Sequence, residues 1–180
     1  MEEKQRRQRN EGILEWCDAL TFALVIMVVI FTFFVRVVAV DGSSMVPTLH
    51  SGDRLIVRSI GGAPEPGDVV VVDGYTRYGK PLVKRVIAVG GDELDIDFST
   101  GEVRRNGEVL EEPYIADPTY IGGDVTFPLT VPEGTLFVMG DNRLHSTDSR
   151  WKSVGFIDER DILGEVALRI FPLSQLGRIK

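Results

Sequence analysis

Cysteine and histidine are scarce in this chain of 180 residues, and their scarcity limits the disulfides, metal sites and catalytic groups that it can form. Cys17 is the single cysteine, so an internal disulfide framework and a cysteine-rich metal site are excluded. Only two histidines are present, His50 and His145, which leaves little from which to build a zinc site. If the protein is an enzyme, its reacting groups must therefore come from serine, lysine, aspartate or glutamate.

Basic residues are fewer than acidic residues. The chain has 20 lysines and arginines against 27 acidic residues, a net charge of −7, and the acids are spread along its length. Nucleic acid is not an expected partner, because phosphate backbones are bound by concentrated basic surface. The hydrophobic share of 43% excludes global disorder, and the length suits one globular domain.

The apolar residues are concentrated near the N-terminus. From Ala19 to Val35 there are 17 consecutive uncharged residues, and beyond Arg36 the apolar sequence resumes as far as Val40. A helix over residues 19–40 would be about 33 Å long, close to the roughly 30 Å hydrocarbon core of a bilayer. The sequence therefore predicts one transmembrane anchor at 19–40.

The charges beside this run predict its orientation. Four basic residues lie among the first 18, whereas the twenty residues after the run contain only Arg36 and Arg54. By the positive-inside rule, residues 1–18 are a cytoplasmic tail and residues 41–180 an extracytoplasmic domain at the cell membrane. The alternative is a cleavable signal peptide ending near Ala39, although the run is longer than the usual apolar core of roughly 7–15 residues.

Beyond the apolar run, short segments rich in valine and isoleucine are separated by Gly, Pro and Asp, a pattern typical of β-strands. We predict strands at Arg54–Ser59, Val69–Asp73, Pro81–Val89, Glu93–Asp97, Gly107–Leu110, Thr135–Met139 and Gly164–Phe171. Residues 111–134, with four prolines and three glycines, are predicted to form a long irregular loop or a small subdomain. The outer domain is expected to be mainly β and antiparallel.

Two adjacent serines follow Gly42 in a predicted turn that ends near Pro47. A serine in such a turn commonly caps the backbone through its hydroxyl. Taken alone, Ser43 and Ser44 therefore do not identify a nucleophile.

Two cations interrupt the apolar strand predicted at residues 81–89. Alternation places Lys84 and Arg85 on opposite faces, so one of them must be buried or lie at an edge. Burial lowers the pKa of a lysine, and a neutral lysine is a general base for a serine hydroxyl. The alternative is a structural ion pair of Lys84 with Asp68 or Asp92.

A polar segment at residues 140–150 follows the predicted strand that ends at Met139. Its two acids and two arginines are suited to form ion pairs, namely Asp141 and Asp148 with Arg143 and Arg150. Ser146 can donate or accept at short range. A triad built on His145 is disfavoured, because neighbours in sequence rarely reach the geometry that a triad needs.

Together these segments resemble the bacterial type I signal peptidases, the membrane-bound Ser/Lys leader peptidases, in their short single-span Gram-positive-like form. The resemblance covers nearly all of the chain after the N-terminal tail. It is carried by Ser44-Met45-Val46-Pro47-Thr48-Leu49, Gly67-Asp68-Val69-Val70, Lys84-Arg85-Val86 through Gly91-Asp92, and Gly140 to Arg150 as G-D-N-R-x-x-S-x-D-S-R.

The resemblance implies a role for each matching residue. Ser44 would be the nucleophile and Lys84 the general base, and Ser146 would orient the Lys84 amine. The supporting residues of the loop would be Asp148, Arg150 and Asp141. The implied catalytic domain is an antiparallel β-sheet or β-barrel-like fold, and the implied substrates are secretory preproteins cut after small residues of the A-x-A type through an acyl-enzyme. The family needs no metal and no organic cofactor.

One position departs from a well-known branch of that family. In that branch a serine two residues before the nucleophile supplies a hydroxyl to the oxyanion hole, whereas here the position is Gly42. The hole would then depend on the Ser44 backbone N–H and a second backbone donor or water. Shallow substrate pockets are expected near Asp41 and Gly42 and near Leu82 and Val83.

Two other functions are compatible with the sequence. A Ser/Lys peptidase of the self-cleaving repressor or conjugation-pilus type would share the dyad, although the repressor form needs a DNA-binding segment. A membrane-anchored β-domain that only binds or assembles would have the same hydropathy and would not need Ser44 or Lys84. The sequence leaves the oligomeric state open.

Overall fold

The computed structural model describes residues 2–33, 35–59, 62–76 and 78–179. The chain divides into two compact units, residues 1–36 and 37–180. Phe34, which belongs to the predicted anchor, lies outside the described residues.

The N-terminal unit is built on one long helix, α1 (Glu2–Phe33). This helix covers the predicted tail from Glu2 onward and the predicted anchor as far as Phe33. Every side chain from Glu15 to Val29 is exposed. Among the described residues, no helix has both the length and the apolar character to cross a membrane.

The helix ends earlier than predicted. Val35–Ala39 forms strand β1 instead of the last turns of a helix over 19–40. Three of its five residues are valines, whose branched side chains favour extended backbone, and β1 lies beside β2 (Arg54–Arg58) in the sheet. An apolar run does not by itself distinguish a helix from a strand, so pairing within the sheet decides the conformation of this segment.

The strands of the described residues are β1 and β2 as given above, β3 (Val69–Val72), β4 (Leu82–Val89), β5 (Glu93–Asp97), β6 (Glu102–Arg105), β7 (Glu108–Val109), β8 (Leu129–Thr130), β9 (Thr135–Met139), β10 (Ile157–Asp158) and β11 (Ile162–Phe171). All seven predicted strands are present, with bounds that differ by at most two residues. The sequence did not predict β1, β6, β8 or β10. The irregular segment predicted at 111–134 contains only the two-residue β8 among its described residues.

Two sheets make up the larger unit. Seven strands lie in the order β1-β2-β11-β3-β4-β9-β10, and four lie in the order β7-β6-β5-β8. The pairs from β2 across to β10, and all those of the smaller sheet, are antiparallel. The mainly β, antiparallel fold is therefore as predicted.

Strand β4 holds the two cations at the centre of the larger sheet. Its Lys84 lies opposite Val70 of β3, and Arg85 lies between Val69 of β3 and Met139 of β9. Because β4 is hydrogen-bonded on both sides, the backbone positions of these residues are tightly set. Both side chains are buried, whereas alternation required the burial of only one.

Candidate active site

Ser44 lies in the turn that joins β1 to β2. Met45 and Leu49 fasten this turn to a buried apolar cluster, and the Leu49 N–H donates to the Met45 carbonyl at 2.8 Å. Gly42 begins the turn with a φ of +102°, a conformation that residues with a side chain rarely adopt. The result is a fixed turn with a half-buried Ser44.

The Lys84 amine reaches this turn from β4. Its Nζ lies 2.6 Å from Ser44 Oγ and 3.2 Å from the Val83 carbonyl. Burial is the main cause that lowers the pKa of Lys84 to about 8; Asp148 and Asp141 oppose the shift. A lysine in this state supplies an appreciable neutral fraction near physiological pH, within hydrogen-bond reach of a serine hydroxyl.

The predicted alternative, a structural ion pair of Lys84 with Asp68 or Asp92, is wrong. Asp68 accepts a hydrogen bond from the Glu65 backbone, and Asp92 accepts one from Asn106 Nδ2 at 2.7 Å. In the part of the chain that the structure describes, Lys84 belongs to no ion pair.

Asp148 and Arg150 form the buried ion pair expected from the sequence. Arg150 Nε lies 2.8 Å from Asp148 Oδ1, and Nη2 lies 2.9 Å from Oδ2. The Gly140 N–H also donates to Asp148 Oδ2 at 3.0 Å. Burial acts to raise the pKa of Asp148, but the hydrogen bonds and charge of Arg150 outweigh it, so the pKa is lowered. Asp148 is thus an ionised anchor for the loop.

Asp141 pairs with Arg85 and not with Arg143, contrary to the sequence prediction. Arg85 Nε and Nη2 each lie 2.8 Å from one Asp141 oxygen, and both side chains are almost fully buried. The Thr48 hydroxyl donates to Asp141 Oδ2 as well. The prediction failed because Arg85 is distant in sequence and only the sheet brings it to the loop. Asp141 therefore links β4 to the turn that carries Ser44.

The loop after β9 approaches the Ser44 turn very closely. A Cβ at Gly140 would lie 2.3 Å from Ser146 Oγ and 2.4 Å from the Ser44 carbonyl oxygen, so no side chain fits there. The Asn142 N–H donates to that carbonyl at 3.0 Å, and Asn142 Nδ2 donates to the Ser43 carbonyl at 3.1 Å. Residues 140–142 thereby hold the turn from one side.

Ser146 lies in the same cluster, next to Gly140, and is 8% exposed. Its hydroxyl is close enough to Asp148 to help lower the pKa of that carboxyl. It reaches hydrogen-bond geometry with no described residue. The contact with Lys84 that the family resemblance implies is therefore absent from the described contacts, and the orienting role of Ser146 stays a prediction.

A cleft of about 440 Å³ opens beside the Ser44–Lys84 pair. The cleft is lined by residues 38–42, Ser44, Met45, Val71, Tyr78 and residues 80–84. The lining includes all four residues predicted to contact substrate, namely Asp41, Gly42, Leu82 and Val83. Sequence reasoning did not identify Tyr78, because nothing in its local sequence distinguishes it.

Comparison with known proteins gives separate evidence on the family of this chain. A family model described as signal peptidase, peptidase S26, matches residues 13–171. The chain belongs to this family. It is 36% identical to signal peptidase I of Bacillus licheniformis over 98% of each chain. It is 35% identical to signal peptidase I T of Bacillus subtilis over 99% of this chain and 95% of the relative.

A third relative, signal peptidase IB of Staphylococcus aureus, is 36% identical over 92% of this chain and 93% of its own length. The resemblance inferred from the motifs is thus confirmed, and the relatives include Bacillus proteins, in agreement with the predicted likeness to Gram-positive forms. Membership of the S26 peptidases makes the chain an enzyme that hydrolyses peptide bonds.

Proposed function

We propose that this protein is a membrane-bound serine endopeptidase that removes N-terminal signal peptides from exported preproteins. It cleaves after small residues of the A-x-A type through an acyl-enzyme on Ser44. The observation that carries the proposal is the 2.6 Å contact between Lys84 Nζ and Ser44 Oγ, formed by a buried lysine that has no carboxylate partner among the described ion pairs.

The dyad supports a two-step hydrolysis. Neutral Lys84 takes the Ser44 proton as Oγ attacks the carbonyl carbon of the scissile bond, and the resulting ammonium then protonates the leaving amine. The N-terminal part of the substrate remains as an ester on Ser44. Lys84, neutral again, takes a proton from water as that water attacks the ester carbonyl, and its ammonium then gives the proton to Ser44 Oγ as the acid leaves.

The oxyanion formed in each step needs hydrogen-bond donors that are already in place. Among the described residues, the backbone N–H of Ser44 donates to no protein acceptor, which leaves it available for this use. Gly42 has no side-chain donor to offer. We assign the first donor to the Ser44 N–H and expect the second to be backbone or water.

The cleft beside the dyad suits a short extended peptide with small side chains. Among the described lining residues, Val38, Met45, Val71 and Leu82 are apolar, and Asp41, Lys80 and Lys84 are the ones of charged type. A small side chain on either side of the central A-x-A residue fits shallow apolar pockets. A bulky side chain at the residue before the cleaved bond would displace the carbonyl from Ser44.

The membrane location rests on the N-terminal unit. A helix whose apolar side chains are exposed on every side is stable when lipid covers it. The exposed apolar residues of α1 include Leu20, Phe22, Val25 and Val28, whose exposed fractions are 55 to 69%. By the positive-inside rule, the basic residues before the apolar run favour a cytoplasmic N-terminus and a catalytic unit outside. Anchoring would concentrate enzyme and preprotein in one plane.

The proposal is tested with the full chain in detergent micelles and a preprotein that carries an A-x-A site. We expect one cut, directly after the second alanine, identified by the masses of both products. A matched preprotein with phenylalanine in place of that alanine should remain uncut. Binding of the preprotein without any cut would contradict the proposed cleavage specificity.

The pH dependence of cleavage should report the titration of Lys84. Because the base must be neutral, kcat/KM should fall about tenfold for each pH unit below the lysine pKa and level off above it. The pKa of about 8 places the midpoint of this acid limb near pH 8. The measurement is a rate profile from pH 6 to 10, with circular dichroism at each pH as the control for folding. A rate that does not fall between pH 8 and pH 6 would contradict the assignment of Lys84 as a neutral base.

A further inference from the structure

The segment between β7 and β8 holds a carboxylate against the catalytic loop. Glu112 forms a two-point ion pair with Arg143, in which Nη1 lies 3.0 Å from Oε2 and Nη2 donates to Oε1. The Arg143 side chain is fully buried and that of Glu112 is 7% exposed. The pair lies 31 residues apart in sequence, and no local motif marks it.

From Arg143, one set of contacts leads to the dyad. Arg143 Nε donates to the Gly140 carbonyl at 3.1 Å, and Nη1 also donates to Thr119 Oγ1 at 2.6 Å. Gly140 is the residue that approaches the Ser44 carbonyl and Ser146 too closely for any side chain. The position of Gly140 therefore depends on the orientation of the Arg143 guanidinium.

A second set of contacts leads from Glu112 to the Ser44 turn by another route. The Tyr114 hydroxyl donates to Glu112 Oε1 at 3.1 Å, and the centre of the Arg85 guanidinium lies 3.9 Å from the centroid of the Tyr114 ring. Burial and Glu112 raise the pKa of Tyr114, so its hydroxyl stays protonated and remains a donor. Arg85 in turn holds Asp141, which accepts from Thr48 in the turn.

We infer that Glu112 is a positioning residue for the Ser44–Lys84 pair, because its carboxylate fixes Arg143 and Tyr114 and through them both the catalytic loop and the Ser44 turn. The inference rests on the proposed function. Its electrostatic basis is that Asp141 and Asp148 are already engaged by Arg85 and Arg150. Without Glu112, the buried Arg143 would compete for one of these carboxylates and shift the groups that surround Lys84.

The test compares Glu112→Ala with Glu112→Gln in the full chain in detergent, with steady-state cleavage of the A-x-A preprotein as the readout. We expect kcat to fall about 100-fold for alanine, because misplacement of a dyad by about 1 Å has that effect, and less for glutamine, which keeps one acceptor. KM should not change, since Glu112 does not line the cleft. The matched control is Glu111→Ala, which removes the exposed neighbouring carboxylate and should leave both constants unchanged.

A role in stability alone predicts a different outcome. Val154→Ala truncates a buried side chain in an apolar cluster to which no dyad residue belongs, so it should lower the melting temperature without lowering kcat. A Glu112→Ala variant that retains wild-type kcat, or that raises KM alone, would overturn the inference. If the alanine variant does not fold, the glutamine variant decides by the same criteria.

A second reaction distinguishes failure of the inference about Glu112 from failure of the proposed function. If the wild-type chain cleaves no preprotein, p-nitrophenyl acetate replaces it: Ser44 Oγ takes the acetyl group and p-nitrophenolate leaves, with the Ser44→Ala rate subtracted. The acetylation rate should be lower for Glu112→Ala than for Glu111→Ala. Equal rates would show that Glu112 does not position the dyad.

Discussion

Replacement of Lys84 by methionine should reduce cleavage of a preprotein by roughly 10⁴-fold or more, and Ser44→Ala should do the same. Methionine fills the space of the lysine stem in the 2% exposed site but has no proton acceptor for Ser44 Oγ. Alanine at position 44 removes the attacking oxygen. The effect should appear in kcat, because both groups act on the reacting atoms.

Each of these variants has a close control in the chain. Ser43→Ala changes the adjacent exposed serine, whose contacts with Val46 and Asn142 use its backbone carbonyl, so cleavage should continue. Lys152→Met removes an exposed lysine outside the cleft and should likewise leave the rate unchanged. Dyad variants that cleave as fast as wild type would refute the mechanism.

Asp141→Ala should destabilise the protein by about 3–5 kcal/mol, because it leaves the buried Arg85 without its carboxylate. The midpoint of urea unfolding, measured on the full chain in detergent by tryptophan fluorescence, should fall without a change in slope. The variant should also lose activity, since Asp141 joins β4 to the Ser44 turn through Thr48.

Two further variants test whether Asp141→Ala loses stability because a buried ion pair is broken. Asp158→Ala breaks the ion pair with Arg160, an arginine whose side chain is 88% exposed, and should lower the urea midpoint much less than Asp141→Ala does. The double variant Asp141→Leu with Arg85→Met removes both buried charges and should recover most of the stability without recovering activity. A loss below about 1 kcal/mol for Asp141→Ala would contradict a strong stabilising contribution from the buried Arg85–Asp141 pair.

Many of the strands can be predicted from local sequence, because the features that form them involve residues close together in the chain. Valine-rich runs bounded by Gly, Pro and Asp predicted all seven strands that we named, since alternation and turn residues act over a few positions. The same reasoning placed residues 35–39 in a helix, because apolarity alone does not reveal that a strand partner is available at Arg54–Arg58. It also missed the two-residue strands β8 and β10, which exist only because β5 and β9 lie beside them.

In the candidate site, too, some features were predicted from the sequence and others were not. The order and spacing of the motifs led to Ser44, Lys84 and the 140–150 loop, and the family match confirms the resemblance that they carry. The roles of these residues and the membrane anchor remain proposals. The sequence correctly paired Asp148 with Arg150, which are two residues apart, but assigned the wrong partner to Asp141, whose arginine lies 56 residues away.

By itself, therefore, the sequence determined the fold class, the peptidase family and the residue types available for chemistry. Only the tertiary structure decided which carboxylate neutralises which arginine, how closely Gly140 approaches Ser44, and that Glu112 pairs with Arg143. The physical reason is that composition and periodicity report on neighbours along the chain, whereas burial, ion pairing and the pKa of Lys84 depend on groups that only the folded sheets bring together.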